Sequence, residues 1–252
     1  MAIALSVNLN KIALLRNSRE TTIPDVLLFA RLAIEAGADG ITVHPRSDGR
    51  HTRPSDVRAL KELLADYPGV EFNIEGNPFS GVYGESQRTM LDLALEVKPH
   101  QVTLVPDSDG QLTSDSGWKV AANKKRLTEV LDKIRDAGSR SSVFMDADSD
   151  ELGALADCGA DRVELYTGPY ADNFGTGLQE ATFKQFAAAA KTAASHGLGV
   201  NAGHDLNLDN LPLFSTIPEI LEVSIGHALT VDALLFGFSN VVGRYKKILA
   251  DV

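Results

Sequence analysis

One rhythm constrains this chain more than any other feature. Eight short runs rich in Val, Ile and Phe recur along it: "IALSVN" (3–8), "GITVH" (40–44), "VEFNIE" (70–75), "QVTLV" (101–105), "SSVFMD" (141–146), "RVELY" (162–166), "LGVNA" (198–202) and "LEVSIG" (221–226). Such runs read as strands, and their nearly continuous apolar character predicts strands buried on both faces. Amphipathic stretches separate them: 23–37, 53–69, 85–99, 123–138, 148–160 and 181–197. Pro24 near the start of the first and Gly37 just past its end are ordinary helix punctuation. The seventh stretch, 208–219, is broken by Pro212 and Pro218, and the last, 230–252, reads as one long helix. Strand then helix, eight times, predicts a (β/α)8 barrel of the α/β class. A doubly wound open sheet is the alternative. That fold usually carries a Gly-rich phosphate loop after its first strand, and "VNLNKIA" has none. With no linker or low-complexity segment, residues 1–252 read as a single domain.

In a barrel, chemistry sits at the C-terminal ends of the strands. The strand ends here are polar in a consistent way. The first ends in Asn8, Asn10 and Lys11, with Arg16 and Arg19 behind it, and the second in His44, Arg46, Arg50 and His51. The others end in Glu75, in Thr103 and Asp107, in Asp146 and Asp148, in Glu164 and Thr167, in Asn201 and His204, and in Ser224 and His227. Four of the six histidines thus share one rim with Glu75 and Glu164. Titratable groups converging on one concave site are what acid–base catalysis needs. His100 and His196 fall on the opposite rim and receive no role.

"NAGH" after the seventh strand and "SIGH" after the eighth occupy the positions where barrels often hold phosphate. Gly203 and Gly226 allow backbone N–H groups to approach an anion, with His204 and His227 beside them. Thr230 and Asp232 are candidate caps for the last helix, whose positive end would face that anion. Arg16, Arg19, Arg46, Arg50 and Arg53 suggest a second anion site, hence a substrate or substrate pair with two phosphates.

Asp and Glu outnumber Lys and Arg by 34 to 24, a net charge of −10. That argues against nucleic acid or an anionic membrane as partner. The single cysteine, Cys158, reads as a small buried residue in mid-helix, permits no intrachain disulfide and suits a reducing cytoplasm. No signal-peptide pattern opens the chain, and no run approaches the roughly 18 apolar residues of a membrane helix. HExxH and a first-strand HxH are missing, so no metal is expected, and without GxSxG no serine nucleophile is expected.

Taken together, "VNLNKIALLRNSR", "GADGITVHPRSDGRH", "LVPD", "DAD", "VELYTGPYA", "GLGVNAGHDLN" and "EVSIGHAL" resemble the pyridoxine 5′-phosphate synthase family, in family order over residues 7–229. The resemblance implies a (β/α)8 barrel with extra helices, a homo-octamer built as a tetramer of dimers, and no metal or redox cofactor. It implies a ring-closing condensation of 1-deoxy-D-xylulose 5-phosphate with 3-amino-2-oxopropyl phosphate, which gives pyridoxine 5′-phosphate, phosphate and water. By motif, His44, Glu75 and His204 would be acid–base residues, and Glu164 would orient or protonate ring intermediates. Asn8, Asn10, Lys11, Arg19, Arg46, His51 and Thr103 would hold substrate, and Gly203, Gly226 and His227 the product phosphate. Asn10 and Lys11 stand where many members carry Asp and His. Asn73 is the alternative to Glu75 for the family carboxylate. Two other readings are a sugar-phosphate isomerase, epimerase or aldolase on the same barrel, which needs one phosphorylated substrate, and a barrel that only binds.

Overall fold

The computed structural model describes residues 2–19, 21–83, 88–108 and 110–250. Eight parallel strands pair in chain order and close into a barrel. They are β1 (Ala4–Asn8), β2 (Gly40–Val43), β3 (Glu71–Gly76), β4 (Gln101–Leu104), β5 (Arg140–Met145), β6 (Arg162–Tyr166), β7 (Gly199–Gly203) and β8 (Ile220–Ile225). All eight lie on the runs expected from sequence, within one or two residues at each end.

The chemistry of their faces is where expectation and structure part. The strands are buried on both faces, but the two faces differ in chemistry. One set of alternate residues is apolar: Leu5 and Val7, Ile41 and Val43, Phe72 and Ile74, Val163 and Leu165, Val223 and Ile225 belong to the hydrophobic core between strands and helices. The other set is polar and fills the barrel. Ser6, Thr42, Asn73, Gln101, Thr103, Ser142, Glu164, Asn201, Glu222 and Ser224 are all buried. Period-two alternation puts neighbouring residues on opposite faces, so a polar inside and an apolar outside coexist in each strand.

The polar interior is layered by hydrogen bonds. At the N-terminal end, Arg162 Nη1 donates to Asn201 Oδ1 (2.9 Å) and Glu222 Oε2 (3.1 Å), and Arg140 Nε donates to Gln101 Oε1 (3.0 Å). Arg140 also pairs with Glu71. At mid-height Ser6 and Thr42 hydroxyls bond at 2.7 Å, and Asn73 bridges Thr42 and Thr103 at 3.2 Å each. These buried polar groups are tolerated because they are paired; Ser142 Oγ, also buried, has no hydrogen-bond partner among the described residues.

The helices are α1 (Asn10–Asn17), α2 (Val26–Glu35), α3 (Pro54–Leu64), α4 (Met90–Val97), α5 (Val120–Asp136), α6 (Leu152–Asp157), α7 (Gly168–Asn173), α8 (Gln179–Ser195), α9 (Leu211–Phe214), α10 (His227–Phe236) and α11 (Phe238–Ala250). Asp25 caps α2 by accepting from Leu27 N–H, Thr89 and Asp92 form a capping box on α4, and Pro54 opens α3. Residues 85–87 of the third expected helical stretch, 85–99, lie outside the described residues.

Four local expectations are corrected. The single C-terminal helix is two, because Gly237 sits at φ 82°, ψ 143°, a conformation that ends α10. Helix α10 starts at His227, so Thr230 and Asp232 do not cap it. Thr230 Oγ1 instead donates to the Gly226 carbonyl, and Asp232 Oδ2 accepts from the Tyr245 hydroxyl. Cys158 is buried, but as the C-cap of α6 rather than in mid-helix. Helices α1 and α7, at the ends of β1 and β6, have no counterpart among the expected stretches.

Candidate active site

The C-terminal mouth of the barrel opens into a cavity of about 660 Å³. Of the residues singled out from sequence, Asn8, Asn10, Lys11, His44, Arg46, His51, Glu75, Glu164, His204, Gly226 and His227 line it. The β1–α1 junction organises one side. Asn8 Oδ1 accepts from Asn10 N–H (3.0 Å), and Asn10 Oδ1 accepts from His44 N–H (2.7 Å). The tip of β1 is thereby tied to the tip of β2. Asn8 Nδ2 also donates to Glu75 Oε2 (3.3 Å), whose other oxygen lies 3.2 Å from His44 Nδ1. Between the two candidate carboxylate positions, geometry separates the roles: Glu75 faces the cavity and pairs with His44, whereas Asn73 is occupied below it by Thr42 and Thr103.

Glu164 lies at the base of the cavity. Its burial, followed by the nearby charges of Glu75 and Glu222, pushes its carboxyl well above the usual range, so it holds its proton where an exposed carboxyl would have lost it. Thr103 does not line the cavity but sits beneath it, 3.5 Å from Glu164 Oε2. Gly203 is also beneath the mouth. A Cβ there would overlap Glu164 Oε1, so glycine at this position makes room for the buried acid. At Gly226 a Cβ would come 3.0 Å from the Cβ of Asn8. Gly226 opens α10 without any side-chain cap, which leaves the first-turn N–H groups free of a capping side chain at the cavity wall.

His51 is buried beside His44, with ring centroids 5.7 Å apart. Burial, then the charges of His44, Arg50, Arg46 and Lys11, push its imidazole down to about 2, so it is neutral at working pH. Its Nδ1 has no hydrogen-bond partner among the described residues. Burial and the neighbouring Arg50 lower the Lys11 ammonium, while Asp205 opposes them.

The five arginines do not form one cluster. Arg46 and Arg50 line the cavity and hold the β4–α5 loop over the mouth. Arg46 Nη1 donates to Asp107 Oδ2 (3.2 Å), and both guanidinia donate to the Gln111 carbonyl (2.8 and 2.6 Å). Arg16 is buried in a two-pronged pair with Asp56 (2.7 and 2.8 Å), and Arg53 donates to Asn17 Oδ1 (3.0 Å). Arg19 is exposed at the end of α1 and is not among the cavity-lining residues. Sequence reasoning passed over Asp205 and the loop residues Thr113 and Ser114, all of which line the cavity. The "HD" after "NAG" was the available signal for Asp205.

Paired carboxylate and imidazole, a second imidazole and a buried acid whose carboxyl is held well above its usual range, all around one mouth, define an acid–base enzyme on a (β/α)8 barrel. Among the described residues no group of three or more His, Cys, Asp or Glu is placed to hold a metal ion. The family is explicit in the sequence: residues 5–251 match the pyridoxal phosphate biosynthesis protein PdxJ family, and the chain belongs to it. A pyridoxine 5′-phosphate synthase from Xanthomonas oryzae pv. oryzae (strain MAFF 311018) is 51% identical over 99% of this chain and 97% of its own. One from Albidiferax ferrireducens is 49% identical over 100% and 99%. Solved structures share the fold at much lower identity. KGPDC from Streptococcus mutans is 12% identical with a TM-score of 0.64 over 100% and 99% of the two chains. 3-Hexulose-6-phosphate synthase from Salmonella typhimurium is 15% identical with a TM-score of 0.60 over 99% of each. At that identity the likeness is one of fold.

Proposed function

We propose that the protein is a pyridoxine 5′-phosphate synthase, condensing 1-deoxy-D-xylulose 5-phosphate with 3-amino-2-oxopropyl phosphate. The carrying observation is the meeting of His44, Glu75, Glu164 and His204 around one cavity that is also lined by Lys11, Arg46 and Arg50 and by the start of α10. The substrate amine attacks the ketone and water leaves. Phosphate is then eliminated and water adds, and an aldol-type closure followed by loss of two further waters gives the aromatic pyridine ring. Every step moves a proton, which His44, Glu75 and His204 transfer and the protonated Glu164 supports from below. Arg46, Arg50 and Lys11 hold one phosphorylated substrate with Asn8, Asn10 and His51. Gly226 and His227, at the uncapped start of α10, hold the other phosphate. Arg19, Thr103 and Gly203 serve substrate indirectly or from outside the cavity wall.

Incubation with both substrates, followed by product absorbance, tests this reading. Replacing His44 or Glu75 by Gln should lower turnover about 10²–10⁴-fold with the fold intact. Turnover with one phosphorylated substrate alone would replace the synthase by an isomerase or aldolase reading. We further propose that the chain works as a single domain, in the cytoplasm, as a homo-octamer. Exposed Leu15, Leu234 and Leu235 support self-association, and sedimentation velocity reads the state directly. Among the described residues no helix is long and apolar enough to cross a membrane.

A further inference from the structure

We propose that Asp205 is a positioning residue for His204, holding its imidazole with the proton on Nδ1 so that Nε2 is the nitrogen presented to the cavity. This rests on the synthase reading only for what His204 then does. Side chains of consecutive residues ordinarily diverge, and here they meet. Asp205 Oδ2 lies 2.6 Å from His204 Nδ1. The chain achieves this by placing two non-glycine residues in succession at positive φ, His204 at 89° and Asp205 at 59°. That conformation is disfavoured for residues with a Cβ and persists where the surroundings impose it.

The surroundings do impose it. Thr167 Oγ1 donates to the carbonyls of both Gly203 and His204, and Asn210 Nδ2 donates to the Asp205 carbonyl (3.2 Å). The Tyr166 ring packs edge-on against the imidazole at 5.1 Å. On the far side His204 Nε2 meets Thr113 Oγ1 at 2.6 Å. The imidazole is therefore gripped at both nitrogens and along one face, by a carboxylate at one end and by a loop hydroxyl at the other. A carboxylate only accepts, so it selects the Nδ1–H form, and it stabilises the imidazolium formed when Nε2 takes up a proton. The hydrogen bond from His204 holds the Asp205 carboxyl below its ordinary range, which keeps it charged for this task.

Asp205→Asn is the discriminating variant. Asn tolerates positive φ as Asp does, so the turn survives and the charge alone is lost. Its amide N–H donates to Nδ1 and moves the imidazole proton to Nε2. Nitrogen-15 spectra of the histidine side chains, with His204 assigned through His204→Gln, should show the Nδ1–H form in the parent and the Nε2–H form in the variant. kcat should fall about 10²-fold while KM stays within about twofold. The same tautomer in both proteins, or an unchanged kcat, overturns the proposal. A tautomer switch in a protein that makes no product from the two substrates would uphold the pairing and count against the synthase reading instead.

Discussion

Replacing His51 by Asn should flatten the acid side of the stability profile, and the size of the effect follows from where the ring sits. His51 is 7% exposed and its imidazole is held down to about 2, against 6.5 in the unfolded chain. Because the folded value lies below the unfolded one, the unfolded state binds the extra proton as pH falls through 6.5. Stability supplied by the neutral ring is therefore intact at pH 7 and drains away on acidification. Integrating the linkage relation between pH 7 and pH 5 gives a loss of about 2 kcal/mol from this one group. With a urea m-value of about 2–3 kcal/mol/M, the midpoint should drop by about 0.7–1 M more in the parent than in His51→Asn. Glu164 acts with the opposite sign. Its raised folded value means that stability held below the ordinary carboxyl range is lost as pH rises. That contribution is common to both proteins and cancels in the difference. Urea unfolding followed by circular dichroism at pH 7, 6 and 5 measures it. Equal pH slopes in the two proteins would refute the buried, neutral assignment.

Gly203→Ala should cost about 1–3 kcal/mol, read as a lower Tm, and should abolish turnover, because the new Cβ overlaps the Glu164 carboxyl inside a filled barrel. Arg16→Met should lower the urea midpoint by the equivalent of about 1–3 kcal/mol through the unpaired Asp56, while steady-state turnover changes little. Gly237→Ala, at φ 82° and ψ 143°, should destabilise by about 1–3 kcal/mol in a thermal melt, with open space around it and backbone strain as the whole cause.

The strand–helix rhythm made the barrel legible, and the strand ends made most of the cavity legible. Asn8, His44 and His204 finish or directly follow a strand, Glu75 lies one residue before the end of β3 and Glu164 within β6, and parallel closure carries these strand ends to one rim. Three kinds of feature stayed hidden. Arg16 is consumed by Asp56, 40 residues away, and no local pattern announces such a pairing. The β4–α5 loop carries no periodicity, so nothing in "DSDGQLTSDSG" shows that Thr113 reaches His204. The polar filling of the barrel was masked because Val, Ile and Phe dominate each run to the eye, although Ser6, Thr42, Asn73, Thr103, Glu164 and Asn201 keep strict alternation with them.

That alternation bears directly on catalysis. In a barrel filled with branched apolar side chains, the interior is core and chemistry is confined to the loops. Here the apolar packing lies outside the strands, between them and the helices, so the interior is free to be polar. The resulting polar column is hydrogen-bonded in two separate layers, the Arg140–Glu71 and Arg162–Glu222 pairs at the N-terminal end and, above them, Asn73 and Thr103, which lead to Glu164. The buried acid is carried on rigid strand rather than on a mobile loop. Its height is fixed by Thr103 below and by the missing side chain of Gly203 beside it. Desolvation that would merely cost stability elsewhere favours the protonated form of a carboxyl at the base of the cavity, next to the His44–Glu75 pair proposed to exchange protons with substrate. A substitution that relieved this burial, by opening the column beneath Glu164, should therefore stabilise the ionised acid and slow turnover together.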